Sequence, residues 1–285
     1  MTRLILLCCL MGLISSCGEQ KKRMEPIEQP VEIVDTLVVA PEVEEDDLVV
    51  AEEVIPVTAD ESFVDFFYNF ASDEIFQRNR ILFPLPFYRE DQVERYQKTD
   101  WQYDPLFSKE EVYTVMFDTE EDMEFEKDTS SHSVQVDWMC LDSLSIKRYY
   151  FERKQDQWFL EAINADKIKD YEGDDEKFID FYTHFVEDSV FQAERVHDPL
   201  LFVTADPEDE FQIVETTLEK GQWFAFCPPM PKNELTNIHY GQTNVPNSPV
   251  KIIELKGFGN GFSNVLHFHR RHGVWKLVKF EDLSD

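Results

Sequence analysis

The sequence predicts an α+β fold made of two tandem copies of one domain. Phe-rich segments with the spacing of a buried helix face occur near residue 63 and, 115 positions later, near residue 178. Each is followed by several segments with the alternating or β-branched pattern of strands. Helices followed by consecutive strands indicate helices packed on one face of a curved antiparallel sheet.

The two copies keep one register through their first part. A small drift between preserved ends indicates loop changes, so we place the copies at residues 60–171 and 172–285. The offset of 115 holds at Asp73/Asp188, Phe76/Phe191, Gln77/Gln192, Arg80/Arg195, Pro84/Pro199 and Leu85/Leu200. It has grown to 117 at Phe151/Phe268, Arg153/Arg270 and Trp158/Trp275.

Each copy is predicted to begin with an aromatic-faced helix and a second, short helix. The aromatic face must be covered, so the first helix should pack on the sheet. Asp73 and Asp188 are predicted N-caps of the second helix, and Pro84 and Pro199 are predicted to end it. The aromatic faces comprise Phe63, Phe66, Phe67 and Phe70 in the first copy and Phe178, Phe181, Tyr182 and Phe185 in the second.

Three strands are predicted in the remainder of each copy. Asn260-Gly261 predicts a tight hairpin turn between two of them. The surrounding segment 257–261 is interpreted as part of that turn and not as a phosphate loop, because no helix follows it. The predicted strands are 134–138, 146–153 and 158–163 in the first copy and 250–255, 265–270 and 275–280 in the second.

The order of these elements resembles the nuclear-transport-factor-2-like (cystatin-like) fold. The segment Asp73-x-x-Phe76-Gln77-x-x-Arg80, with the closing Trp158-Phe159-Leu160, also resembles a family of bacterial envelope lipoproteins with a domain of unknown function. The second copy departs from the first at residues 196–198. The resemblance implies a fold and an envelope location for residues 60–285. It implies no activity, because this fold hosts both enzymes and binding proteins.

The N-terminus has the order of a secretory signal. Arg3 precedes an apolar run at residues 4–13, which is about half the length of a membrane-spanning helix. The stretch Leu13-Ile14-Ser15-Ser16-Cys17-Gly18 resembles the lipobox of bacterial lipoproteins. This implies cleavage of signal peptide 1–16 and lipidation of Cys17, which would hold the chain to a membrane. An ordinary cleaved signal is the alternative. Gly18, where Asp would mark inner-membrane retention, favours the outer membrane.

Residues 17–59 have the composition of an acidic, disordered tether. Positions 18–59 contain 12 acidic and 3 basic residues, four prolines and no aromatic residue. Like charges and prolines favour an extended chain that holds the folded part away from the membrane. The apolar piece at 48–51 offers an alternative, in which it adds a strand to a partner's sheet. The net charge of −31 argues against a nucleic-acid partner, because such a surface repels phosphate.

The sequence contains no familiar catalytic motif. We therefore expect no catalytic residue, cofactor or metal site, although the sequence leaves an enzymatic role open. His267, His269 and His272 are the best metal candidates. We expect an exposed strand face instead, because Phe268 between the first two should face the core. The seven carboxylates at 118–128 are interpreted as a solvated loop, with weak calcium binding as the alternative.

Two further sets of residues are candidates for a structural role. One set is polar and recurs in both copies, and the other consists of the cysteines that remain after signal cleavage. Arg80/Arg195 and Asp65/Asp180 occur in both copies and are interpreted as polar pairs or caps that support the fold, with pocket residues as the alternative. Only Cys140 and Cys227 remain besides Cys17 after signal cleavage. They fall at non-equivalent positions of the repeat, which favours two separate thiols over a disulfide.

The sequence favours a lipid-anchored envelope protein that acts as a non-enzymatic binding or scaffolding module. The expected partners are the membrane, through the lipid, and an unidentified protein or small molecule. The alternative is a small-molecule carrier or enzyme with a pocket between helix and sheet. A core filled by aromatic side chains would remove that pocket.

Overall fold

The computed structural model describes residues 60–169, 173, 175–206, 209–242, 245 and 247–284. The predicted signal peptide 1–16, Cys17 and the tether lie outside these described residues. Within them, no helix is long and apolar enough to cross a membrane.

The described part of residues 60–171, the predicted first copy, contains two short α-helices, one 3₁₀ helix and six strands. Their order is α1 Phe63–Ser72, α2 Glu74–Asn79, β1 Leu85–Arg89, β2 Gln92–Tyr96, β3 Tyr113–Phe117, a 3₁₀ helix Glu121–Lys127, β4 Ser133–Cys140, β5 Ser145–Lys154 and β6 Gln157–Lys167. The second copy follows as α3 Phe178–Glu187, α4 Ser189–Arg195, β7 Val196–Asp206, β8 Asp209–Leu218, α5 Trp223–Phe226, β9 Glu234–His239, β10 Val250–Lys256, β11 Ser263–Arg271 and β12 Val274–Asp282.

The predicted caps of the second helices are confirmed. The Asp73 carboxylate accepts hydrogen bonds from the backbone N–H groups of Ile75 and Phe76 at 2.8 and 2.9 Å. The Asp188 carboxylate does the same for Val190 and Phe191 at 2.8 and 3.2 Å. In both copies an acidic side chain therefore satisfies N–H groups that have no partner within the helix.

The prediction that Pro84 and Pro199 end these helices is wrong. The helices end earlier, at Asn79 and Arg195. In the first copy the following backbone joins the sheet: Leu160 N–H donates to the Arg80 carbonyl at 2.8 Å, and Leu82 N–H donates to the Leu160 carbonyl at 2.9 Å. Pairing with β6, and not the proline ring, stops the helix.

The structure forms two six-stranded sheets, and each takes one edge strand from the other copy. The first sheet has the order β2-β1-β6-β5-β4-β9, and the second has β3-β10-β11-β12-β7-β8. Strand β9 of the second copy pairs antiparallel with β4, while β3 of the first copy pairs antiparallel with β10. The α+β class and the six predicted strands are confirmed. The boundary between 171 and 172 stays a prediction. Strands β3 and β9 each lie on one side of it and pair with the sheet of the copy on the other side.

The two exchanged strands meet through a reciprocal pair of threonines. Thr114 N–H donates to the Thr236 hydroxyl at 2.7 Å, and Thr236 N–H donates to the Thr114 hydroxyl at 2.8 Å. Each hydroxyl also donates to the other residue's carbonyl, at 2.6 and 2.8 Å. Because both side chains are buried, these bonds satisfy backbone groups that water cannot reach.

Aromatic side chains fill the space between the first helix and the sheet in each copy. Phe151 is 0% exposed, and its ring meets those of Phe63 and Phe70 edge-on at 5.4 and 5.2 Å. Phe268 repeats this against Phe178 and Phe185 at 5.6 and 5.4 Å. The predicted aromatic faces are confirmed as core. Each core also includes residues of the other copy: Met139, Leu141 and Ile146 in the second, and Ile238, Tyr240, Ile252 and Val265 in the first.

The predicted hairpin between β10 and β11 exists, but its turn is not a tight Asn-Gly turn. The connection spans residues 257–262 and is closed by Gly257 N–H donating to the Phe262 carbonyl at 2.9 Å. The residue with left-handed backbone is Gly259, with φ of 70°. A side chain at Gly259 would collide with the Tyr68 ring on α1, so the glycine allows the hairpin to approach the helix of the other copy.

Candidate ligand pocket at the junction of the two copies

A cavity of about 440 Å³ lies where the start of α3 faces strands of the first sheet. This volume is in the range of small-molecule sites. Its apolar wall joins Met139 and Ile146 of the first copy to Phe178, Ile179 and Trp275 of the second. Both copies therefore build the cavity, which we call the junction pocket.

A buried carboxylate organises the polar wall of the junction pocket. Asp137, on β4, is 5% exposed and accepts hydrogen bonds from the Gln135 amide at 2.7 Å and from His239 Nε2 at 3.0 Å. His239 lies on the exchanged strand β9, so the exchange brings this pair together. The amide of Asn237 is oriented by accepting a bond from Met116 N–H at 2.7 Å. A residue of β3 thereby positions the side chain next to His239.

Arginine and lysine side chains line the rest of the polar wall. Arg148, on β5, donates one hydrogen bond to the Asn164 amide oxygen at 3.4 Å, and its guanidinium lies 4.0 Å from Asp137 and 3.8 Å from Asp166. These are long separations, and an arginine carries five N–H donors. Most of the hydrogen-bonding capacity of Arg148 is therefore open to a ligand.

The cations contributed by the second copy differ in how firmly they are held. Lys251 forms a close ion pair with Asp118. Arg270 donates to the Asn247 carbonyl at 3.0 Å and lies over the Trp275 ring, 5.2 Å from its centroid. Lys177, immediately before α3, forms no ion pair within the described part of the chain.

A second cavity, of about 520 Å³, occupies the corresponding place on the first helix. Val64 and Tyr68 of α1 line it together with the hairpin 257–261, and the Tyr68 and Phe258 rings stack at 5.0 Å. Burial raises the pKa of Tyr113 and of Tyr240, which complete its wall. This cavity is aromatic and rich in glycine, whereas the junction pocket is charged.

The expectation of an exposed histidine face on β11 is wrong for His267. His267 is 2% exposed, and its Nε2 lies 2.6 Å from the Glu281 carboxylate. Hydrogen bonds from His267 and Lys279 lower the pKa of Glu281. Glu120 of the first copy also approaches this face, 3.5 Å from His267 Nδ1 and 3.7 Å from Lys279. Burial lowers the pKa of the neighbouring His269.

The interpretation of residues 118–128 as a solvated loop is also wrong in part. Asp118 pairs with Lys251, and Glu126 forms a close ion pair with Lys256. Together with the contact of Glu120, these pairs bind the acidic segment of the first copy to lysines of the second. The carboxylates of Glu121 and Glu124 remain exposed.

The repeated arginines support the fold, but their partners are not Asp65 and Asp180. Arg80 binds Asp60 through two hydrogen bonds of 3.0 and 2.7 Å, and Asp60 also accepts Trp158 N–H at 3.1 Å. Asp65 instead accepts a bond from the Ser62 hydroxyl at 2.7 Å at the start of α1. Asp180 is exposed.

The second copy repeats this arrangement with a residue shifted by one position. Arg195 donates to Glu176 at 2.8 Å, and the same Glu176 oxygen accepts Trp275 N–H at 2.9 Å. Glu176 therefore takes the role of Asp60, although Asp175 is the residue aligned with it. Elsewhere, Cys140 and Cys227 are separate, half-buried thiols, and burial raises the pKa of Cys227 to about 11.

The helices, six-stranded sheets and aromatic cores described above are those of an NTF2-like α+β protein. The family described as "Domain of unknown function (DUF4348)" matches residues 42–282, and the chain belongs to that family. A crystal structure of an NTF2-like protein from Bacteroides fragilis NCTC 9343 is similar, with 51% sequence identity and a TM-score of 0.76. The similarity covers 81% of this chain and all of that one. No curated protein matches the chain.

Sequence reasoning missed the residues of the junction pocket. Asp137, Arg148 and His239 lie on three neighbouring strands, of which β9 was not predicted. One signal was present: Asp137 and Arg148 interrupt β-rich segments with charge on one strand face. Nothing local indicated that His239 would join them.

Proposed function

We propose that this chain is a lipid-anchored cell-envelope protein that acts as a non-enzymatic binding module, with its ligand in the junction pocket. The observation that carries the proposal is the junction pocket, which both copies build and in which a mostly basic polar wall faces an apolar one. The anchor is the lipid at Cys17 that the lipobox resemblance implies, with the outer membrane as its site. The acidic tether would place the pocket beyond the membrane surface.

Two features support binding at the junction over a pocket between helix and sheet. The rings around Phe151 and Phe268 occupy the helix–sheet space in both copies. The junction pocket, by contrast, has room for a small molecule and both apolar and hydrogen-bonding walls. A ligand there would also contact both copies at once, which gives the duplicated fold a role.

Filling the junction pocket should abolish ligand binding. Ile179→Trp places an indole in the cavity, while Val64→Trp places one at the equivalent helix position, in the other cavity. The fragment 53–285 is suitable, because the described residues belong to one compact unit, and the similarity to the crystallised Bacteroides fragilis chain covers 81% of this chain and all of that one. Binding of the uncharged fluorophore N-phenyl-1-naphthylamine should be lost only in Ile179→Trp. Equal binding by both variants would contradict the proposal.

The lipid anchor predicts a defined mature N-terminus. In a bacterial host that processes lipoproteins, intact-mass measurement of the wild-type chain should show a protein that begins at Cys17 and carries acyl chains. Cys17→Ser should retain residues 1–16 and carry no lipid, whereas Cys140→Ser should be processed normally. A wild-type chain that is cleaved elsewhere and carries no lipid would refute the anchor.

The Asp137–His239 pair favours an enzyme as the second candidate. A buried carboxylate that accepts a hydrogen bond from a histidine orients the ring and supports its use as a general base. Hydrolysis of ester, peptide or glycoside substrates by the fragment, lost in His239→Gln, would establish this candidate and remove the non-enzymatic one.

A further inference from the structure

We propose that the junction pocket selects a small organic anion, with its acidic group at Arg148 and Lys177 and its apolar body against Ile168 and Ile179. This inference rests on the proposed function and adds the chemical class of the ligand. It is carried by the charge of the pocket wall, which is opposite in sign to that of the whole chain.

The difference in charge between the pocket wall and the whole chain indicates that the ligand is an anion. The chain has 27 basic and 58 acidic residues. Among the residues that the structure describes, the wall of the junction pocket has five basic residues, Arg148, Lys169, Lys177, Lys251 and Arg270, and two acidic ones, Asp118 and Asp137. Walls of low dielectric constant focus such a local field, so the pocket attracts anions even though the remaining surface repels them.

The two acidic groups in the wall are already engaged. Asp118 is paired with Lys251 and accepts Val245 N–H at 2.8 Å. Asp137 accepts bonds from Gln135 and His239. Neither carboxylate is therefore open to bind a cationic ligand. Such a ligand would have to displace one of these partners, which costs the free energy of the hydrogen bond that is lost.

Arg148 and Lys177, in contrast, are only weakly engaged by the protein. Arg148 has one hydrogen bond, at 3.4 Å, and reaches Asp137 and Asp166 only at 3.8 to 4.0 Å. Lys177 forms no ion pair within the described residues. A carboxylate, sulfonate or phosphate can bind Arg148 in the two-pronged geometry that guanidinium groups favour, without breaking a short ion pair.

The apolar part of the wall defines the rest of the ligand. Met116, Ile168 and Ile179 line the pocket with half-buried apolar side chains, whereas Met139, Ile146, Phe178 and Trp275 in the same wall are already buried. Inorganic phosphate or a simple sugar acid would leave this surface wet. An anion with an aliphatic or aromatic body would cover it and gain hydrophobic free energy.

A pair of fluorophores that differ in one acidic group tests the inference on fragment 53–285. 8-Anilinonaphthalene-1-sulfonate carries the ring system of N-phenyl-1-naphthylamine together with a sulfonate. We expect one sulfonate probe to bind per chain, and to bind more tightly than the uncharged probe. Arg148→Met should weaken the sulfonate about ten-fold and leave the uncharged probe unchanged. Lys177→Met, which breaks no ion pair, should act in the same direction.

The outcomes separate the inference from the function on which it rests. Arg95→Met, on the exposed strand β2, is the control and should change neither affinity; thermal melts confirm that all variants fold. If the uncharged probe binds at the junction and the sulfonate binds no tighter, or if both arginine-to-methionine variants behave alike, the anion inference is wrong. If neither probe binds at the junction, the proposed function fails as well.

Discussion

The first copy, expressed alone as residues 53–171, should fail to fold as a monomer. It lacks β9, so β4 would expose an unpaired edge from Gln135 to Cys140. Its own β3 would have no strand to pair with, because its partner β10 belongs to the second copy. The side chains of Met139, Leu141 and Ile146 would also lose the core that covers them. Exposed edges and apolar surface of this kind lead to aggregation.

Co-expression with residues 172–285 should restore a folded one-to-one complex. Size-exclusion chromatography with light scattering and circular dichroism would show a particle with the mass and melting behaviour of the uninterrupted fragment 53–285. A monomeric 53–171 fragment with its own cooperative thermal transition would show that the exchanged strands are dispensable.

Arg80→Met should lower the free energy of unfolding by about 3–5 kcal/mol, which is the usual cost of removing one partner from a buried ion pair. The side chains of Arg80 and Asp60 are only 13% and 7% exposed. Methionine keeps most of the volume, so the loss reports mainly the unpaired Asp60 carboxylate. That carboxylate would keep only its bond from Trp158 N–H. Urea denaturation of fragment 53–285 measures the effect.

The second copy and an exposed arginine supply matched controls for this measurement. Arg195→Met should cost less, about 1–3 kcal/mol, because Arg195 and Glu176 are more exposed, at 19% and 24%, and share one short hydrogen bond. Arg95→Met should stay within about 0.5 kcal/mol of the parent. If Arg195→Met lowered the free energy of unfolding more than Arg80→Met, the more deeply buried ion pair would not be the one that contributes more to stability, and the prediction would be wrong.

The sequence predicted those parts of the fold that depend on local patterns. The aromatic face of α1 follows from its spacing, and the caps Asp73 and Asp188 follow from side chains that reach N–H groups two and three residues away. The central strands β4 to β6 and β10 to β12 have β-rich composition. Each of these features is set by neighbours within a few residues, and so a short stretch of sequence is enough to reveal it.

Features that depend on distant partners could not be predicted. Strands β3 and β9 are short, and their pairing is set by the opposite copy. The acidic segment 118–128 has the composition of a solvated loop until Lys251 and Lys256 are placed beside it. His267 has the alternation of an exposed position, yet it is buried and bonded to Glu281 on the neighbouring strand β12. The same limit hid the junction pocket, because its walls come from strands far apart in sequence.

The exchange of strands also fixes the order in which the protein can acquire its structure. The Asp137–His239 contact joins residues 102 positions apart. During synthesis the first sheet cannot be completed until β9 has emerged, so the N-terminal half waits for nearly the whole polypeptide. Contacts of such long range slow folding in general. For a chain predicted to leave the cytoplasm, late folding is useful, because it keeps the newly made polypeptide in the unfolded state that threading through a narrow secretion pore requires.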